Sequence, residues 1–448
     1  MIQNILSIVI SLGVLITFHE FGHYFIARKC GVKVLRFSIG FGKPIYRFVA
    51  KTGTEFTLAM IPLGGYVRML DEREGNVPAH LKSEAFNNKS VWQRFAIVAA
   101  GPIANFILAI VIYAIVALMG IQSLTPKVGH IQPQSPIAQT NIQPGDELLS
   151  INNSVVSSWE DVNLVLADLI GASGTITVRY QDLLSKEKET DTLTLNRWMA
   201  GKDSNNLIGE FGLTPWQPKV VPVIAQVVKN GAAEKAGFQV GDKIIEGNGK
   251  PIDDWGQFVT LIQNHPGSLV SIDVMRSSKN VVLMLLPGSI ERNGDLVGYA
   301  GLAVVPPVME AGLWNTRHFG PIESLTYGAQ QTWKMTALTV SSIGKMFQGL
   351  ISIDNLSGPI TIAKVASASA DSGLQSFLKF MAYLSVSLGV LNLLPIPMLD
   401  GGHLMFFGIE AIRRKPVSEK IQSMAYRVGA FLLFTLMAIA IFNDIARL

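Results

Sequence analysis

Residues 16–25 read ITFHEFGHYF and lie inside an apolar run, residues 6–27, that opens almost at the start of the chain. A membrane span needs about 20 mostly apolar residues. The run is long enough, so two histidines and a glutamate stand where ionisable groups are expensive. On a helix, positions i and i+4 share one face about one turn apart. His19 and His23 are therefore spaced to hold one Zn²⁺ together, and Glu20 lies beside them, close enough to act on a water molecule there. Either histidine alone would read as a packing residue. Three ionisable residues within five positions of a span need a compensating role.

The chain has 448 residues, 49% hydrophobic and 16% charged, too apolar for an ordinary soluble protein and too polar for spans alone. Three further runs qualify as spans: residues 95–119, 378–397 and 426–442, the last of them short. The leading MIQN carries no Lys or Arg and no small-residue cleavage site follows, so the first run reads as a retained helix. Residues 28–94 hold twelve Lys and Arg against five Asp and Glu, and Arg413, Arg414, Lys415 and Lys420 fall between the last two spans. By the positive-inside tendency both loops are cytoplasmic, which puts both termini and residues 120–377 on the far side of the membrane. The net charge of +4 is small for this length and points to no nucleic-acid partner. The single cysteine, Cys30, excludes an internal disulfide framework.

The long outer segment repeats itself. SPIAQTNIQPGDELLSINN from Ser135 matches GAAEKAGFQVGDKIIEGNG from Gly231, aligning Gly145-Asp146 with Gly241-Asp242, Leu148 with Ile244, and Trp159 with Trp255. A small-residue helix start, a Gly-Asp turn, a strand and a Trp-led helix resemble PDZ domains, over residues 125–215 and 220–308. The stretches expected to form a GLGF-type carboxylate loop, KVGHI and PVIAQV, do not match that pattern. A steric or docking role therefore stands beside peptide capture.

A catalytic zinc takes a third protein ligand and keeps one position open. The third ligand must come from another span at the same depth. His23 lies five residues, about 7 Å, before Arg28 at the cytoplasmic end of the first helix. The third span also runs inward and ends in NLLPIPMLDGGH, residues 392–403, so Asp400 and His403 both reach that depth. Spacing alone leaves either as the ligand, and Asp400-Gly401-Gly402 also suits a plain helix-ending turn.

HEFGH in the first span, GPIAN at 101–105 in the second, the tandem PDZ-like segments and LDG at 399–401 resemble the site-2 protease family, M50-type intramembrane zinc metalloproteases. Order and length match one bacterial branch across nearly the whole chain. The resemblance implies that His19, His23 and Asp400 are the Zn²⁺ ligands and Glu20 the catalytic glutamate. It also implies an inner-membrane enzyme that cuts single-pass membrane proteins within their transmembrane segment. The expected substrate is an anti-sigma factor already trimmed by a first protease during envelope stress, with signal-peptide remnants as a second class.

Glu55–Met69, EFTLAMIPLGGYVRM, alternates as two short strands around Pro62 and Gly64-Gly65, and exposed strand edges can add an extended peptide. The family has a membrane-reentrant β-loop here (residues 52–70) with a GGY motif, so Gly64, Gly65 and Tyr66 are expected to bind substrate. Asn105 and Asn392, neutral donors near helix-perturbing prolines, are further substrate-binding candidates, with hydrogen bonding between spans as the other reading. Residues 310–375 show broken helical spacing and are expected to form helices on the outer membrane surface. The resulting architecture is a multi-span α-helical membrane protein with four transmembrane helices, a membrane-reentrant β-hairpin and two periplasmic PDZ-like α/β domains. Its membrane core comprises residues 1–120 and 376–448. A non-enzymatic adaptor with a structural metal site is the alternative; it would show four protein ligands.

Overall fold

The computed structural model describes residues 2–202, 204, 206–292, 295–306 and 313–446. Four of its helices are long and apolar enough to cross a membrane: Ile2–Lys29, Val91–Leu118, Leu374–Leu393 and Glu419–Ala446. The second begins cleanly because Ser90 and Gln93 form a reciprocal capping box. It is the hub, with half of its apolar window buried against 17% for the fourth. Leu15, Leu108, Ile112, Tyr113, Met381 and Val386 form the core shared by the first three spans.

Two span limits differ from the hydropathy reading. The third stops at Leu393, because Leu394 precedes Pro395 and is driven to an extended conformation (φ −61°, ψ 141°). The fourth is not short: it runs 28 residues, since a helix continues through polar residues that an apolar window rejects.

Between the first two spans lie two long bent strands, β1 (Val34–Val49) and β2 (Glu55–Met69). Gly40 and Gly42, at φ +89° and +90°, let β1 turn back on itself. Its outer half pairs with the start of β2 (Tyr46 with Leu58, Val49 with Glu55), and its inner half pairs with the end of β2 (Phe37 with Val67, Ile39 with Gly65). The inner half also lies against residues 55–58, from Arg36 with Glu55 to Ile39 with Leu58. The two halves of β2 are thus separated by β1 rather than paired with each other, and β1 is an element that hydropathy reading passed over.

Each repeat forms a four-stranded antiparallel sheet in the same order. In the first it is Ser154–Val155, Glu147–Ile151, Gly174–Gln181 and Lys188–Leu195; in the second, Lys250–Pro251, Lys243–Gly247, Val270–Arg276 and Lys279–Leu285. Helices Trp159–Asp168 and Trp255–Gln263 complete two separate cores. The aligned aspartates build the turns. Asp146 accepts hydrogen bonds from the Gln143 and Leu183 N–H groups, and Asp242 accepts from the Gln239 N–H and from Arg276. In both repeats the first strand pairs with the last, Val128–Ile131 with Leu213–Pro215 and Ile224–Val227 with Leu302–Val304. Residues 307–308, assigned to the second repeat, and 310–312 lie outside the described residues.

The helices expected on the membrane surface are built into the flank of the bundle. Pro321–Phe347 buries Ser324, Gly328 and Thr332, and a Cβ at Gly328 would collide with the Ile110 carbonyl of the second span. Small residues on that face permit the close approach. On its other side, Lys334 pairs with Asp161 of the first repeat at 2.8 Å. Pro359–Asp371 packs on the first span and is capped from a distance by Asp444 of the fourth, which accepts from the Gly358 and Ile360 N–H groups.

Candidate metal centre

Three side chains from the first and third span regions converge. His19 Nε2 lies 3.2 Å and His23 Nε2 3.5 Å from Asp400 Oδ2, and the two imidazole nitrogens are 3.3 Å apart. No other group of three such side chains clusters like this among the described residues. Asp400 Oδ2 is buried with no donor aimed at it. Three lone-pair atoms facing one point, in a nitrogen, nitrogen, oxygen set, fit Zn²⁺ with room for a fourth, non-protein ligand.

Asp400 owes its place to a break in the chain. After Leu393, residues 394–399 turn through Pro395, Pro397 and Met398 (φ +96°), and Asp400 then starts a new helix, Asp400–Arg413, rather than ending one. Its neighbours hold that turn tightly. A Cβ at Gly401 would collide with the Leu393 and Leu394 carbonyls, one at Gly402 would stand 2.6 Å from the Ile396 carbonyl, and one at Gly429 of the fourth span would strike the Pro397 carbonyl. His403 is not part of the cluster; its Nδ1 lies 3.3 Å from the Tyr426 hydroxyl.

The second span presses against the histidine pair. His23 Nδ1 donates to the Ile97 carbonyl at 2.9 Å, and Asn105, fully buried, places its side-chain amide 3.1 Å from His19 Nδ1. Gly22, inside HEFGH, packs on the Ala100 carbonyl. A Cβ at Gly101 would overlap His23 Nε2.

The profile of peptidase family M50 matches residues 7–436. The chain belongs to peptidase family M50. It is 43% identical over 447 residues to the regulator of sigma-E protease of Salmonella typhimurium, with 99% of each chain covered, and equally similar to that of Escherichia coli. It is also 43% identical over 452 residues to a putative zinc metalloprotease of Vibrio cholerae, again with 99% of each chain covered.

In this M50 chain the end of β2 lies beside Glu20. The Val67 backbone N–H interacts with the Glu20 carboxylate, and a Cβ at Gly65 would stand 3.0 Å from Glu20 Cγ and 2.8 Å from the Ser38 carbonyl. Gly64 lies under the Phe41 ring. Tyr66 is tied into the sheet, stacking on Phe41 and accepting from Arg36 at 3.2 Å. Asn392 is half-buried on the third span and makes no side-chain hydrogen bond to a described residue. Sequence reasoning gave no site role to Gly22, Ile97 or Gly101, the two glycines entering only as members of the HEFGH and GPIAN motifs. Ile97 acts through its backbone, and the glycines act by leaving space, so neither carries a side-chain signal.

Proposed function

We propose that this peptidase is an intramembrane zinc metalloprotease of the bacterial inner membrane, acting in sigma-E signalling on single-pass membrane proteins. Its substrate is an anti-sigma factor whose periplasmic part a first protease has removed; signal-peptide remnants are a second class. The observation that carries this reading is the convergence of His19, His23 and Asp400 next to Glu20 inside membrane-crossing helices. The names of the relatives support the zinc and the sigma-E assignment.

His19, His23 and Asp400 would hold the metal, and Zn²⁺ bound there would supply Lewis acidity toward the scissile carbonyl and lower the pKa of the attacking water. Glu20 takes the proton of that water and returns it to the leaving amine. A transmembrane helix shields its peptide bonds in its own hydrogen bonds, so it must first be drawn out. The β1–β2 unit is a membrane-reentrant element, consistent with the exposure of Ile45, Tyr46, Val49 and Met60. Its last segment, residues 65–69, offers main-chain groups to an extended substrate beside Glu20. Gly64, Gly65 and Tyr66 shape that edge, and Asn392 contacts substrate from the third span.

The repeats act as a PDZ-like pair on the periplasmic side, together with both termini. A loop of the GLGF kind lies at the end of each repeat rather than its start, at Phe211-Gly212-Leu213 and Ala300-Gly301-Leu302, where the glycines take φ +97° and +76°. In the second repeat this loop borders an apolar groove lined by Phe258, Ile262, Tyr299 and Leu302. A bulky ectodomain collides with the pair before its helix reaches the metal.

Purified protein is expected to carry about one zinc per chain and to cut a single-pass reporter whose ectodomain has been removed; His23→Ala and Asp400→Asn should lose both properties. Zinc retained in Asp400→Asn, with no cleavage by any form, would favour an adaptor holding a structural metal.

A further inference from the structure

Asn105 is a side-chain amide in the middle of the second span, at 0% exposure. Burying an amide costs free energy unless its groups find partners. Among the described residues its one side-chain partner is His19, through Nδ2 at 3.1 Å from Nδ1, while its Oδ1 has none. Hydrogen bonding between spans does not by itself account for it, because the partner it finds on the first span is His19, a member of the metal cluster. The third span reaches this position through Ser385, whose hydroxyl donates at 2.8 Å to the backbone carbonyl of Asn105 and not to its side chain. Direct contact with a substrate does not account for it either, because a fully buried amide presents nothing to one.

The chemistry of the partner gives the role. His19 faces Asp400 and His23 through Nε2. An imidazole binds a metal through a nitrogen that carries a lone pair, and when Nε2 is that atom Nδ1 must carry the proton. His23 meets this condition through a fixed acceptor, the Ile97 carbonyl. For His19 the group at the same place is the Asn105 amide. Turned by 180°, the amide sets its oxygen against Nδ1 and accepts that proton; the two orientations occupy the same space. Ile97, Gly101 and Asn105 are spaced four residues apart, so one face of the second span offers an acceptor to each histidine, with a glycine between that makes room for both rings.

We infer that Asn105 is a positioning residue of the metal centre: its amide oxygen accepts the Nδ1 proton of His19 and so leaves Nε2 free for the metal. The inference rests on the zinc reading above. Groups that orient a ligating histidine are typically worth about 10- to 100-fold in metal affinity.

The test compares zinc affinity, by competition with a chromophoric chelator, in wild type, Asn105→Leu and Asn105→Asp. Leucine keeps the volume and removes the acceptor; aspartate keeps the acceptor. Asn105→Leu should bind zinc about 10- to 100-fold more weakly, with Asn105→Asp within tenfold of wild type. Nitrogen-15 spectra of histidine-labelled, zinc-loaded wild type should show a proton on His19 Nδ1. Equal affinity in wild type and Asn105→Leu, equal loss in both variants, or an unprotonated His19 Nδ1 would each overturn the inference. A wild type that binds no zinc would instead overturn the metal reading beneath it.

Discussion

Gly101 shows how much of the centre depends on an absent side chain. A Cβ there would overlap His23 Nε2 and stand 2.9 Å from His19 Cε1. Gly101→Ala is therefore expected to displace the imidazoles and cut zinc content steeply. Gly13→Ala, on the first span with nothing within 4 Å of the added carbon, should leave zinc unchanged. Metal analysis of the two purified variants checks this; equal zinc in both would mean that the rings move aside without cost. The ligands were legible in the sequence because two histidines sharing a metal must recur at helical spacing, and a glutamate must stand near them to act. Spacing left Asp400 as one of a pair with His403, and only the family resemblance favoured Asp400. The turn at residues 394–399 decides between them, and its geometry depends on glycines two residues and two helices away.

At the level of elements, the β1–β2 unit is where sequence reading was least complete. Alternation in Glu55–Met69 revealed two strand segments, but their partner was hidden. VLRFSIGFGKPIYRFV is interrupted by glycines and a proline that read as loop and serve as the bend. Placing residues 65–69 next to Glu20 makes Gly65 sensitive to size. Gly65→Val should slow cleavage by about 100-fold, the cost of misplacing reacting groups by an ångström, while zinc content stays at the wild-type level. Kinetics and metal analysis on the same preparation test this; a loss of zinc matching the loss of rate would move Gly65 from substrate alignment to the metal centre. The flank helices show a second limit. Broken apolar spacing in Pro321–Phe347 marked an amphipathic helix correctly, yet could not say that its small-residue face meets a span and its lysines meet a repeat.

Across the whole molecule, the repeats fold around their own cores and were legible in outline, since an internal duplication preserves its turn residues. Their pairing of first strand with last was not, because such pairing leaves no local trace. The second repeat is pinned by an ion pair between Asp242, at 1% exposure, and the partly exposed Arg276, bidentate at 2.7 Å. Burial alone would raise the Asp242 carboxyl, but Arg276 and the Gln239 N–H overcome it and hold the carboxyl below the ordinary carboxylate range. A lowered folded-state value contributes stability above about pH 4 that is lost as pH falls through and below that point. Hydrogen exchange in the strands of residues 243–285, corrected for intrinsic rates, should show opening on acidification in wild type and a flatter profile in Asp242→Asn. Arg276→Met, which leaves the carboxylate buried and unpaired, should cost about 3 kcal/mol at neutral pH. A profile unchanged by Asp242→Asn would assign the acid sensitivity elsewhere.

All of these features serve one claim, that Glu20 beside a zinc held by His19, His23 and Asp400 cuts peptide bonds inside the membrane. The direct test is cleavage of a single-pass reporter helix, its ectodomain removed, by zinc-loaded wild type and by Glu20→Gln, with zinc measured in both. The account predicts cleavage within the helix by wild type and a rate at least about 100-fold lower in Glu20→Gln at equal zinc content. Equal cutting by the two proteins, or none by either while both hold zinc, would contradict it.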